Sequence, residues 1–168
     1  MGRLTRLLKH RLWDEADARR ALPSAALQHL QQQVAASEAL HSGEIRVCVE
    51  ASLPLSYLWR NAPARERAIA MFGKLRVWDT EHNNGVLIYL LLAEHRIELV
   101  ADRALNRRVD AAQWQTLVDS MSAAFRERQY EQGLAAAVEC VSALLIEHFP
   151  LASGSRRPNE LPDAPALL

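Results

Sequence analysis

The sequence predicts an α/β domain: a small mixed sheet with helices packed against it. Three observations carry this expectation. Apolar residues recur at helical spacing in several separate segments, two short segments alternate with the period of a strand, and a run between those two is apolar at almost every position. At 168 residues, with 49% hydrophobic and 24% charged content, the chain is of the size at which one hydrophobic core forms and a second would be starved.

Residues 1–22 form a helical extension in this reading. Leu4, Leu8 and Leu12 fall on one face with Arg3, Arg6, Lys9 and Arg11 elsewhere, a pattern able to touch a membrane surface but more simply a solvated opening helix, since Asp14, Glu15 and Asp17 follow at once. Pro23 and Ser24 open a second helical segment in which Leu27, Leu30 and Val34 repeat until about Leu40. The period then changes. Ile45, Val47 and Val49 take one face of a first strand and Arg46, Cys48 and Glu50 the other, with Leu53 and Pro54 closing it. A loop carrying Trp59 leads to Pro63 and a helix with Ala68, Ile69, Phe72 and Leu75 on its stripe.

Asn83, Asn84 and Gly85 punctuate the chain before Val86–Ala93, a run so uniformly apolar that it predicts a central strand covered on both faces. Glu94 and His95 make a hairpin turn into a third, alternating strand, Arg96–Ala101. Asp110 and Gln113 have the spacing of a capping box ahead of the stripe Trp114, Leu117, Val118, Met121 and Phe125. Leu134, Val138, Val141, Leu144 and Leu145 mark a last helix. The domain boundaries are therefore 23–150, with 151–168, rich in Ser, Arg and Pro, expected to be a disordered tail.

Composition excludes several classes. Lys plus Arg and Asp plus Glu number 20 each, so no net field draws the chain to nucleic acid. Val86–Ala93 is far short of the ~20 residues of a membrane span, and the N-terminus has no apolar signal-peptide core. Cys48 and Cys140 stand in no metal or redox spacing and read as buried thiols of a reducing, cytoplasmic compartment.

The helix between strands one and two favours a parallel crossover, and the tight turn makes strands two and three antiparallel. This brings the start of strand one (His41, Ser42, Glu44), the loop entering strand two (Asp79, Thr80, Glu81, His82, Asn83) and the exit of strand three (Asp102) to one rim, with Asp110 starting a helix nearby. Glu44, Asp79, Asp102 and Asp110 are the candidate metal ligands, and hard oxygen donors suit Ca²⁺, with Mg²⁺ second, better than zinc. Each also has an ordinary role, as helix cap, ion-pair partner or loop solvation.

Ser42–Val47, Asn84–Tyr89, Arg96–Asp102 and Tyr130–Leu134, in that order and spacing, resemble the TPM domain family over roughly residues 24–150. That resemblance implies an α/β/α sandwich around a small mixed sheet, agreeing with the periodicity. It further implies three expectations: Ca²⁺ binding as in some bacterial members, an acid-phosphatase-like activity as credited to plant members, and a membrane-protein partner of the LemA type. Residues 101–105 stand where tethered relatives carry a Gly-Tyr-Gly-Leu-Glu stretch, and no signal peptide or trailing span is evident. The resemblance is thus to the short, soluble bacterial branch, cytoplasmic or peripheral to the inner membrane, and Asp110 matches the family's helix-opening aspartate.

The residues favour a metal-binding or protein-interaction module over an enzyme. No P-loop, nucleophile elbow or HExxH stands in the chain, and the six histidines are scattered, with only His41 and His82 expected near the rim. The enzyme alternative is a metal-dependent phosphatase-like hydrolase, for which the rim supplies metal-ligand candidates but no phosphate cradle. Trp13, Trp59 and Trp78 are the candidate contact anchors of an interaction module, whereas Trp114 reads as core.

Overall fold

The computed structural model describes residues 2–152 and 158–168. Its element order is α1 (Arg3–Arg11), α2 (Glu15–Ala21), α3 (Ser24–Glu38), β1 (Ile45–Glu50), α4 (Leu55–Trp59), α5 (Ala64–Lys74), β2 (Val86–Leu91), β3 (Arg96–Ala101), α6 (Arg103–Asn106), α7 (Ala111–Arg126), α8 (Tyr130–His148) and β4 (Ala166–Leu167). The sheet has the order β3-β2-β1-β4. β1 and β2 pair in parallel with Ile45 opposite Val86, and β2 and β3 pair antiparallel with Val86 opposite Ala101. These polarities are the expected ones.

The strand period puts two separate cores on the two faces. On one, Ile45, Val47, Val49, Ile88, Leu90, Ile97 and Leu99 meet Leu30 of α3, Phe125 of α7 and Val138 of α8. On the other, Cys48, Leu87, Tyr89, Leu91 and Val100 meet Leu58 of α4 and Ala68 and Met71 of α5. This is an α/β/α sandwich. Every residue of β1 and β2 is buried, which explains why the β2 run is apolar throughout: it has no solvent face. The hairpin closes through one 3₁₀ turn, Leu92–Glu94, with His95 in the left-handed region at φ 51°.

Two segments depart from expectation. Trp59 ends a short helix rather than riding in a loop. The larger correction concerns residues 151–168, expected to be disordered: Ala166 and Leu167 form β4, parallel to β1. Arg46 donates to the carbonyls of Pro162 and Ala164, Leu161 is buried in the second core, and the Ala51 N–H donates to the Leu168 carbonyl at 2.8 Å. A strand of two residues has no periodicity to detect, and its stabilisation comes from Arg46, far away in sequence. Part of the tail expectation, residues 153–157, lies outside the described residues.

β3 is a sheet edge, and two of its outward carbonyls, those of Leu99 and Ala101, are already occupied. Arg65 donates to the Leu99 carbonyl and Asn106 Nδ2 to that of Ala101 at 2.6 Å, which blunts the edge against pairing with another chain.

Gly85 fixes how the loop before β2 closes. A Cβ there would stand 2.1 Å from the Val77 carbonyl oxygen, a backbone atom that cannot rotate away. Gly85→Ala is therefore expected to cost about 1–3 kcal/mol, as for other overpacked sites. A urea titration reads this directly; an unchanged midpoint would show that the loop is free to shift.

Candidate functional site

Parallel β1 and β2 with antiparallel β3 place the starts of the first two strands beside the end of the third. Backbone bonds join these segments. The Val86 N–H donates to the Glu44 carbonyl at 2.8 Å, Asp102 N–H to Gly85 at 2.9 Å and Ala104 N–H to Asn83 at 3.0 Å. Asn83, left-handed at φ 51°, turns the loop into the strand and accepts from Arg103 Nη2 at 2.7 Å on its side chain. The rim foreseen from strand polarity is thus assembled, and the loop carrying Thr80 closes against it through an Asn83 N–H to Thr80 carbonyl bond of 3.2 Å.

The four candidate carboxylates have different fates within it. Glu44 is fully buried and accepts from the backbone N–H groups of Glu160 and Leu161 at 3.3 and 3.2 Å, so it anchors the returning C-terminal segment. Asp79 is exposed. Asp110 is also exposed and forms the expected capping box on α7, accepting from Gln113 N–H at 2.8 Å while Gln113 Oε1 accepts from Asp110 N–H at 3.1 Å. Asp102 alone is buried with an uncommitted oxygen. Its Oδ1 caps α6 through Arg103 N–H at 2.6 Å, and its Oδ2 has no partner. No group of three or more His, Cys, Asp or Glu side chains among the described residues is placed to hold a metal ion.

Two residues passed over as ligands complete the picture. Thr80 Oγ1 and Asn84 Oδ1 are buried and without a hydrogen-bond partner; together with Asp102 Oδ2 they are three of the five such side-chain atoms among the described residues. The Asn84 amide nitrogen is engaged, Nδ2 donating to Ser42 Oγ at 3.1 Å. Each orphan costs about 1–3 kcal/mol, so three at one rim are a concentrated expense, the other two, Gln33 Oε1 and Trp114 Nε1, lying elsewhere in the chain. No sequence pattern marks Thr80 or Asn84, since orphaning is a property of packing.

His41, expected at the rim, is buried and committed. The Gly43 carbonyl at 3.1 Å can only accept, so Nδ1 carries the proton, and Nε2 accepts from Ser37 Oγ at 2.8 Å. His82 is exposed. A cleft of about 490 Å³ lies along the edge of β3, lined by Arg65, Glu98 and Trp114 among others, and is separate from the rim. Trp114, expected in the core, packs half-buried against it with its indole N–H unpartnered.

Two further polar clusters lie at the opposite end of the parallel strands. Arg67 of α5 grips Glu50 at the end of β1 with Nε and Nη2, at 2.9 and 2.6 Å, and Tyr89 donates its hydroxyl to the same carboxylate at 2.6 Å. The Glu50 hydrogen bonds push the Arg67 guanidinium above its ordinary range, and burial pushes the Tyr89 phenol up. Burial likewise raises the Cys48 thiol to about 12, which leaves it inert. In the other cluster, Arg6 Nε and His10 Nε2 both donate to Glu94, at 2.7 and 3.0 Å, and the Leu53 N–H donates to His10 Nδ1 at 3.0 Å. Neither cluster was foreseen, because Arg6 and Glu94 are 88 residues apart.

The sequence pattern of the TPM domain matches residues 16–144, more than half of the chain. The chain belongs to the TPM domain family. Among solved structures, this TPM domain is similar to the NMR structure of the BA42 protein from the psychrophilic bacterium Bizionia argentinensis, with a TM-score of 0.74 and 25% identity, covering 87% of this chain and 94% of that one. No curated protein matches it. The fold implied by the resemblance is therefore the fold of the chain. No described helix is long and apolar enough to cross a membrane.

Proposed function

We propose that this TPM domain is a divalent-cation-binding module whose ligands are Asp102 Oδ2, Asn84 Oδ1 and Thr80 Oγ1. The supporting observation is the set of three buried oxygens without a partner, drawn from the loop entering β2 and the exit of β3. One carboxylate with an amide and a hydroxyl oxygen is a hard, weakly charged donor set. Ca²⁺ accepts six to eight such oxygens in flexible geometry and completes its shell with carbonyls and water, whereas Mg²⁺ demands a stricter octahedron and dehydrates reluctantly. Glu44, Asp79 and Asp110 are outside this proposed set, since Glu44 is engaged by backbone amides and the other two are exposed. A single carboxylate places the affinity at the weak end of protein Ca²⁺ sites, with Kd on the order of 10⁻⁴–10⁻³ M.

An NMR titration tests this. Added CaCl₂ is expected to shift the amides of Thr80, Asn84, Asp102 and their neighbours, with MgCl₂ weaker. Asp102→Asn should lower the affinity about tenfold or more by removing the only charged ligand, yet leave the fold intact, because Asn caps a helix as well as Asp does. A dispersed response, or an Asp102→Asn variant that binds like the parent, would refute the assignment.

A further inference from the structure

The α1 helix is packed inside out. Its polar side chains Arg6 and His10 are buried, while Leu4, Leu8 and Leu12 are 78%, 65% and 80% exposed. The inward side is fixed by the Glu94 bonds, by Arg6 Nη1 to Asn61 Oδ1 at 3.1 Å, by the Leu53 N–H to His10 bond and by Leu7 against the second core. Four specific polar contacts thus hold a leucine stripe toward solvent. Loose packing does not account for it.

The stripe continues onto α4. Leu8 and Leu55 line one open depression of about 320 Å³ together with Leu7, Leu53 and Leu58. Leu55 and Trp59 of α4 are themselves 67% and 71% exposed. Half of the ten strongly exposed large apolar side chains among the described residues therefore belong to α1, its cap and α4. A contiguous apolar surface of this kind marks a contact face.

Charge identifies what covers it. α1 contains no acidic residue, and its Lys9 and Arg11 form no ion pair with the described residues, Arg11 standing beside Leu8 in the same depression. A second copy docked on this face would bring like charges together. An anionic bilayer surface would instead pair with the cations and accept the leucines, with Trp59 at the headgroup level that tryptophan favours. We propose that α1 and α4 form a docking face for anionic phospholipid membranes, lying flat on the surface without spanning it. This face is independent of the cation rim, which lies at the other ends of β1 and β2.

The test uses the full chain with vesicles of phosphatidylglycerol and phosphatidylethanolamine, compared with phosphatidylcholine alone, in chelator so that no divalent ion can bridge. Co-sedimentation is expected only with phosphatidylglycerol, weakening as salt screens the charges, with a blue shift of tryptophan emission that Trp59→Phe removes. Leu8→Glu is expected to reduce binding about tenfold or more, since one leucine transferred out of water is worth at least that factor. Lys9→Glu with Arg11→Glu should do the same. Should Leu8→Glu fail a melting control, Leu4→Glu replaces it at a more exposed position. Absence of phosphatidylglycerol-dependent sedimentation, or equal binding by the leucine variant, overturns the proposal. So does a solution dimer dissolved by Leu8→Glu, which would make a second copy the occupant. Asp102→Asn should bind vesicles like the parent, so failure of the cation reading is scored separately.

Discussion

Replacing Arg67 with methionine is expected to lower the unfolding free energy by about 3–5 kcal/mol, the cost of leaving one half of a buried ion pair behind. Glu50 is 4% exposed and receives Arg67 through two nitrogens, so the substitution strands a carboxylate whose remaining described partner is the Tyr89 hydroxyl. Arg67 is also the contact that pins α5 over the end of β1. The methylene stem is kept by methionine, so the loss isolates charge from packing. Adding Glu50→Gln to Arg67→Met should recover much of the loss, because the neutral amide no longer needs a cation, and a double-mutant cycle in urea measures the coupling. A loss below about 1 kcal/mol would place the pair with solvated surface bridges.

The second large effect is acid lability centred on Glu94. Burial would raise its pKa, but the hydrogen bonds from His10 and Arg6 outweigh that and hold the carboxyl at about 2, against an ordinary 4.5. A depressed folded pKa means that the unfolded state takes up the proton first as pH falls. The stabilisation is complete above about 4.5, declines through the interval below it and is gone near 2, amounting to about 3 kcal/mol. Denaturant unfolding at a series of pH values should show this slope, and Glu94→Gln should flatten it. A variant as steep as the parent would assign the acid sensitivity to other carboxylates. Because Glu94 holds α1 down, the acid transition should release that helix first.

The parts of the fold legible in the sequence are those written in local period. β1, β2 and β3 follow from alternation and uniform burial, the hairpin from a two-residue break, and the α7 start from Asp110 and Gln113. Strand polarity then located the rim correctly, since it depends only on connection length. Which of its side-chain oxygens have partners was harder to see. Glu44 is a strong ligand type by identity, yet its carboxylate is taken by the amides of Glu160 and Leu161, contacts that exist only once the C-terminal segment returns. Thr80 and Asn84 carry no motif and stand out only by lacking partners. α1 misleads in another way: its leucine stripe is obvious, but which face turns inward is decided by Glu94 and Leu53, and those partners choose the polar side.

The return of the C-terminal segment also bears on when the fold can form. Arg46 in β1 finds its acceptors 116 and 118 residues downstream, and Ala166 and Leu167 close that side of the sheet. On the ribosome, β1, α5, β2 and β3 emerge early and can associate, but until residue 167 is released β1 keeps a bare ladder and Glu44 and Arg46 lack their anchors. Closing so long a loop is entropically slow. The nascent domain should therefore wait in a nearly complete state with one open edge, vulnerable to pairing with a neighbouring chain until Ala166 and Leu167 have emerged and paired with β1.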